Sequence, residues 1–390
     1  MTVTGQSTLA VPDAHGGWRS LTLLEPRDWA EHPHPYDSRI AFAAAHVVAD
    51  PLADNTPGAP AVLDWDATLA FRRHLFSYGF GVAEAMDTAQ RNMGLNWDVA
   101  RELITRSAAV AKEAGARIAS GAGTDHHLTI GTIDEVIAAY AEQIEAVEQA
   151  GSQVIIMASR QLAQLAVSAD DYRRVYDELL RQVSEPVILH WLGDMFDPHL
   201  KGYWGSTDVP TATATFLGLV RDHADRIDGV KVSLLSAEHE VSLRAALPEG
   251  VRLYTGDDFN YPALIRGDGT HHSDALLGAF AAIAPAASAA LAALDAGDIE
   301  TYDAELAPTL ALSRHIFEAP TFHYKTGIAF LAWLNGHQDG FTMVGGMQSA
   351  RSIPHLVRVI ELANECRLLA DPDLAAHRLT TLLTSAGVTR

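Results

Sequence analysis

The stretch Gly229-Val-Lys-Val-Ser-Leu-Leu235 alternates apolar and polar side chains with the two-residue period of a β-strand. Val230, Val232 and Leu234 share one face, and Lys231 and Ser233 share the other. The chain contains only four lysines (Lys112, Lys201, Lys231 and Lys325), with arginine supplying nearly all other positive charge. A lysine set inside an apolar strand therefore points to a role beyond charge balance. The pattern predicts a strand whose apolar face meets covering helices while Lys231 and Ser233 turn into a barrel. Partial desolvation there lowers the amine's pKa and raises the fraction of free base, the form that attacks a carbonyl. The competing reading is a structural lysine paired with a carboxylate.

Working outward from this strand, short apolar runs alternate with helical patterns. Strands are expected near 39–48, 80–86, 117–121, 153–158, 186–191, 229–234, 251–256 and 275–280. Helical periodicity fills 97–114, 133–150, 169–182, 211–223 and 237–246. Parallel strands joined by crossover helices follow from this alternation. Eight such units fit an α/β chain folded as a (β/α)8 TIM barrel, which needs about 250 residues. A doubly wound open sheet has the same periodicity, but polar residues after nearly every strand favour the barrel, whose catalytic loops gather at one end. Three regions follow: an irregular N-terminal extension over 1–38, the barrel over 39–300, and a helical region over 301–390 packed on it.

Composition narrows the function. Charged residues sum to 28 − 49 = −21 with histidine neutral. That field argues against nucleic acid or an anionic membrane as partner. The single cysteine, Cys366, excludes an internal disulfide framework and fits a reducing, cytoplasmic compartment. The uncharged stretch 275–294 is long enough to span a membrane, but it is mostly alanine and is broken by Pro285. It reads as a buried strand followed by a packed helix.

Lys231 with Tyr254-Thr-Gly-Asp-Asp258 resembles the dihydrodipicolinate synthase and N-acetylneuraminate lyase superfamily of class I aldolase barrels. In that family a Schiff-base lysine on strand six precedes a Ser-Gly-Asp-Asp-like turn on strand seven. The likeness extends over about 39–300: residues 79–101 resemble the substrate-carboxylate loop and its helix, Ile118-Ala-Ser-Gly-Ala-Gly-Thr124 the strand-three glycine turn, and 186–190 strand five. The tail that contains Lys325 is similar to the family's C-terminal helices. The whole most resembles a poorly characterised synthase-like subgroup. The resemblance implies an imine-forming lyase that works without a cofactor and assembles as a homo-oligomer.

The departures from the family pattern bear on substrate. His190 stands where the family carries a proton-relaying tyrosine, which implies a proton carrier of altered chemistry. The hydroxyl pair that holds a keto-acid carboxylate is replaced by Glu84-Ala-Met-Asp-Thr88, and the strand-four tyrosine by Ala158-Ser-Arg160. Asp87 would repel a carboxylate but accepts hydrogen bonds from hydroxyls. The expected substrate is thus a polyhydroxylated, sugar-derived carbonyl compound rather than simple pyruvate. Lys231 and His190 are the candidate catalytic residues. Asp87, Thr88, Asp125, His126, Arg160, Ser233, Asp257 and Asp258 are candidate substrate binders.

Two other readings stay open. Glu84, Asp87, His126, His190 and Asp257 could hold Zn, Mn or Mg in a metal-dependent sugar isomerase or lyase, although no fixed ligand spacing occurs. A non-catalytic sugar-binding barrel would use the same polar rim. Asp257 and Asp258 also suit a plain helix-capping role. Gly345-Gly346 near Arg351 reads as a capping turn, and Cys366 as packing.

Overall fold

The computed structural model of the protein describes residues 8–13, 17–127 and 129–389. Two short N-terminal strands, β1 (Thr8–Pro12) and β2 (Trp18–Thr22), pair antiparallel. Eight parallel strands then close into a barrel: β3 (Ala41–Ala44), β4 (Gly81–Glu84), β5 (Ile118–Ala122), β6 (Gln153–Ile156), β7 (Val187–Leu192), β8 (Ile227–Ser233), β9 (Arg252–Thr255) and β10 (Asp274–Leu277). The order β10-β3-β4-β5-β6-β7-β8-β9 excludes the open doubly wound sheet.

The helices between and after the strands are α1 (Trp65–Ser77), α2 (Trp97–Ala114), α3 (Ile133–Gln149), α4 (Arg160–Leu165), α5 (Ala169–Gln182), α6 (Val209–Asp222), α7 (Ala237–Ala246), α8 (Tyr261–Arg266) and α9 (Ala279–Asp295). Local sequence sets their ends. Thr132 and Glu135 form a reciprocal capping box at α3. Asp208 caps α6 ahead of a first-turn proline. The uncharged stretch becomes β10 and α9, and no described helix is long and apolar enough to cross a membrane.

The strands sort their side chains as the alternation requires. Val82, Leu189, Val230 and Val232 point outward into the layers beneath the helices. Phe42, Ala83, Ile155, Ile188, Tyr254 and Leu276 fill the interior. This plug fills the barrel below Lys231, Ser233 and His190, which lie toward the carboxyl ends of their strands.

The tail is helical as expected: α10 (Ile299–Leu306), α11 (Thr309–Ile316), α12 (Tyr324–Leu334), α13 (Ile353–Glu365) and α14 (Pro372–Ser385). Every residue of α12 is buried, with α9, α11, α13 and α14 packed around it. The N-terminal segment departs from the irregular wrap expected for it. Its described part contains the β1–β2 ribbon, and β1 rests on α13 and α14, burying Leu9 and Val11 against the tail.

Candidate active site

The site is assembled from strand ends. On β8, Lys231 and Ser233 face inward, opposite to Val230 and Val232. In the β7–β8 register His190 lies beside Lys231. The imidazole Nε2 and the Ser233 hydroxyl are 3.3 Å apart. Gly256, just past β9, leaves room for them: a Cβ there would come within 2.2 Å of Ser233 Oγ and 3.0 Å of Lys231 Cε. Lys231 is 5% exposed, and its ammonium has no ion pair within 4.0 Å among the described residues. Asp87 and Asp258 thus act on it through charge at longer range rather than as a direct salt link. The backbone turns sharply just beyond two of these strands, with Ala85 and Leu235 both at φ 52. Such left-handed, non-glycine residues cost energy and cluster at functional sites.

A second set of groups comes from the tail. Tyr324, at the start of α12, donates its phenol hydrogen to Asp87 Oδ2 at 2.6 Å, and its oxygen is also 2.6 Å from Thr88 Oγ1. The ring stacks on Phe317 at 4.3 Å between centroids. Lys325 follows and joins Asp87, Arg160, His190, Phe196 and Asp197 in lining a cavity of about 20 Å³, room for about one water-sized guest. Arg160 is anchored by Nε to Asp197 at 2.6 Å. Lys231 itself does not line this cavity; its strand neighbour His190 and its electrostatic neighbour Asp87 do.

Burial and charge oppose one another throughout. Burial lowers the Lys231 pKa while Asp87 and Asp258 pull it back up. His190 is pushed well below its ordinary value by burial and then by Lys231, so its imidazole is neutral at pH 7. Two adjoining groups in a dry barrel cannot both hold positive charge, so the imidazole rests in the form that can accept a proton or a hydrogen bond. For Asp87, burial alone would raise the pKa, but the Lys325 and Lys231 charges and the Tyr324 hydrogen bond hold it below the usual range. Asp258 rises well above its ordinary value, chiefly through burial, and its carboxylate accepts from the Ala279 N–H.

Several sequence candidates lie elsewhere. Glu84 points outward from β4 into a buried two-pronged pair with Arg72 of α1, both contacts at 2.8 Å. Asp125 is held by Arg91 and Gln143; burial would raise its pKa, but Arg91 brings it down to about 2. His126 lies against the tilted ring of His127 and is bound by Gln143 and Glu142 of α3. The Asp257 carboxylate accepts from the Phe259 and Asn260 backbones and the Asn260 side chain, so it serves its own turn.

These placements also bear on the metal alternative. Of Glu84, Asp87, His126, His190 and Asp257, three are committed to separate partners, and the five do not converge as a donor set. The described groups that could hold an ion lie away from this cavity: His126 with His127 and Glu142, and His315 with Glu318 and His355.

The site residues that sequence reasoning missed are Tyr324, Lys325 and Asp197. Lys325 carried a signal: one of four lysines, embedded in an apolar helical run.

The profile of the family described as "Protein of unknown function (DUF993)" matches residues 9–388. The chain belongs to the DUF993 family. No curated protein matches it. Solved structures similar to this DUF993 chain are dihydrodipicolinate synthases. One is the 4-hydroxy-tetrahydrodipicolinate synthase of Methylacidiphilum fumariolicum SolV, at TM-score 0.64 and 14% identity, covering 87% of this chain and 99% of that one. Another is dihydrodipicolinate synthase from Oceanobacillus iheyensis, at TM-score 0.60 and 15% identity, covering 83% and 95%. A third is the chloride-inhibited synthase of Acinetobacter baumannii complexed with pyruvate, at TM-score 0.59 and 15% identity, covering 84% and 99%. The DUF993 chain thus shares the barrel fold of dihydrodipicolinate synthases, the family whose resemblance its motifs carry.

Proposed function

We propose that this chain is a lyase of the class I aldolase type, forming an imine between Lys231 and a small carbonyl compound. The observation that carries this reading is the inward Lys231 amine, buried, without an ion pair and beside a neutral His190. A buried amine deprotonates more readily than one in water, and its lone pair can add to a carbonyl carbon. In this reading His190 and Ser233, 3.3 Å apart beside Lys231, hydrogen-bond the oxygen that leaves as water.

The remaining groups favour a hydroxyl-rich substrate. Asp87 stays ionised and accepts hydrogen bonds, and Thr88 and Tyr324 add hydroxyls. Arg160 is fixed at Nε by Asp197 and keeps its terminal nitrogens for substrate oxygens. The cavity is smaller than a sugar, so entry requires its wall to move; Met86, Met93 and Met157 supply adaptable side chains there. The buried Cys366 thiol, pushed up to about 12 by burial, suits a reducing cytoplasm. A homo-oligomeric state is part of the reading and is checked by sedimentation.

The test is borohydride trapping with pyruvate, dihydroxyacetone and ketosugars, followed by peptide mass mapping. A reduced adduct on Lys231, absent from Lys231→Ala, is expected, with hydroxylated compounds trapped better than pyruvate. Better trapping of pyruvate overturns the substrate class. No adduct with any carbonyl compound, together with unchanged sugar affinity in Lys231→Ala, replaces the lyase with a binding barrel.

A further inference from the structure

Lys325 reaches the pocket from α12 rather than from a strand, and it is 1% exposed. Its ammonium donates to the Phe322 carbonyl at 3.1 Å and lies 4.5 Å from the Tyr324 ring centroid. No carboxylate stands within 4.0 Å of it among the described residues. An ammonium has three donors, so most of its hydrogen-bonding capacity has no protein acceptor while the side chain lines the cavity. Structural lysines end in ion pairs or in water; this one ends where a substrate would sit.

The groups around that cavity differ in whether they can take up and release a proton. His190 is held neutral by burial and Lys231. Asp87 is held ionised, and Tyr324 is raised well above its ordinary value by burial and Asp87. Asp258 does not line the cavity. Lys325 is brought down to about 8, by burial first, against Asp87 and Asp197 and with Arg160 assisting. His323, two positions earlier, also feels its charge.

Building on the Schiff-base reading, we propose that Lys325 is a catalytic residue that moves the proton on the substrate carbon next to the imine. Lys231 adds to the carbonyl carbon; one amine hydrogen and one proton from solvent pass to the carbonyl oxygen, which leaves as water, giving a protonated imine. The Lys325 amine then takes a proton from the neighbouring carbon. The C–H electron pair becomes the C=C bond of an enamine, and the imine π pair returns to the Lys231 nitrogen. Reversal of the step returns the proton from the Lys325 ammonium.

The experiment uses dihydroxyacetone and pyruvate in D2O with the full chain, comparing wild type, Lys325→Gln and Lys325→Met. NMR follows exchange of the hydrogens next to the carbonyl, and borohydride trapping follows the imine. Both variants should still give the Lys231 adduct, which itself reports an assembled pocket. Exchange should fall on the order of 100-fold or more, the usual size of a lost acid–base contribution. The wild-type pH profile should show a rise centred near pH 8 that the variants lack. Unchanged exchange with trapping intact overturns the role of Lys325 alone. Loss of trapping in both variants, or an adduct on Lys325, also overturns it. Absence of any Lys231 adduct in wild type overturns the Schiff-base reading and this role with it.

Discussion

Gly256 shows how closely the site is fitted at the level of single atoms. A methyl group there would meet Ser233 Oγ at 2.2 Å, the Val232 carbonyl at 2.8 Å and Lys231 Cε at 3.0 Å. Since a backbone carbonyl is among the obstacles, the strand must shift. Gly256→Ala should therefore cost about 1–3 kcal/mol, as overpacked sites do, measured by denaturant unfolding. It should also lower Lys231 trapping, by displacing the amine from its place beside His190. At this scale the sequence was legible where strand alternation operates: Lys231, Ser233 and His190 face inward as the two-residue period requires. The same period could have removed Glu84 from the candidates, because it shares its face with the outward Val82. Lys325 was harder to place. Its helix is buried all round, and periodicity within such a helix does not say which opening its first turn covers.

Between elements, buried carboxylates act as joints rather than as chemistry. Arg72 and Glu84 tie α1 to β4. Glu240 of α7 accepts hydrogen bonds from Thr255 of β9 at 3.0 Å and from Ser273, just before β10, at 2.8 Å. Burial raises the Glu240 pKa to about 8 from 4.5, so the folded protein keeps a proton there that the unfolded chain has lost. The sign follows: its contribution is complete below about pH 4.5 and is lost as pH rises toward 8. Glu240→Gln, which keeps the neutral form, should flatten the decline in unfolding free energy between those pH values. An unchanged slope in urea melts at pH 5, 6.5 and 8 would exclude Glu240 as its source. Sequence suggested polar residues at strand ends but could not distinguish those that brace helices. Asp125 and His126 went to α3 because the Gln143 side-chain amide on that helix donates to Asp125 and reaches His126.

Across the whole molecule, the barrel supplies one amine and the tail supplies the other. Tyr324 and Lys325 are held by α12, whose position depends on α9, α13 and α14 and on the stacking of Tyr324 against Phe317. Phe317→Ala should cost about 3–5 kcal/mol in stability, as large deletions in a core do. In the protein that remains folded, exchange that depends on Lys325 should fall further than trapping on Lys231. Equal losses in both readouts would mean that the tail holds the pocket only as a unit. The barrel and helical tail were legible because long alternating patterns repeat through the chain. The pairing of strand ends with α12 was not, since it rests on contacts such as Asp87 with Tyr324, 237 positions apart. This division has a consequence during synthesis. On the proposed chemistry, a chain translated only through β10 carries Lys231 but not Lys325, so the two amines meet only after the tail has been made and has docked.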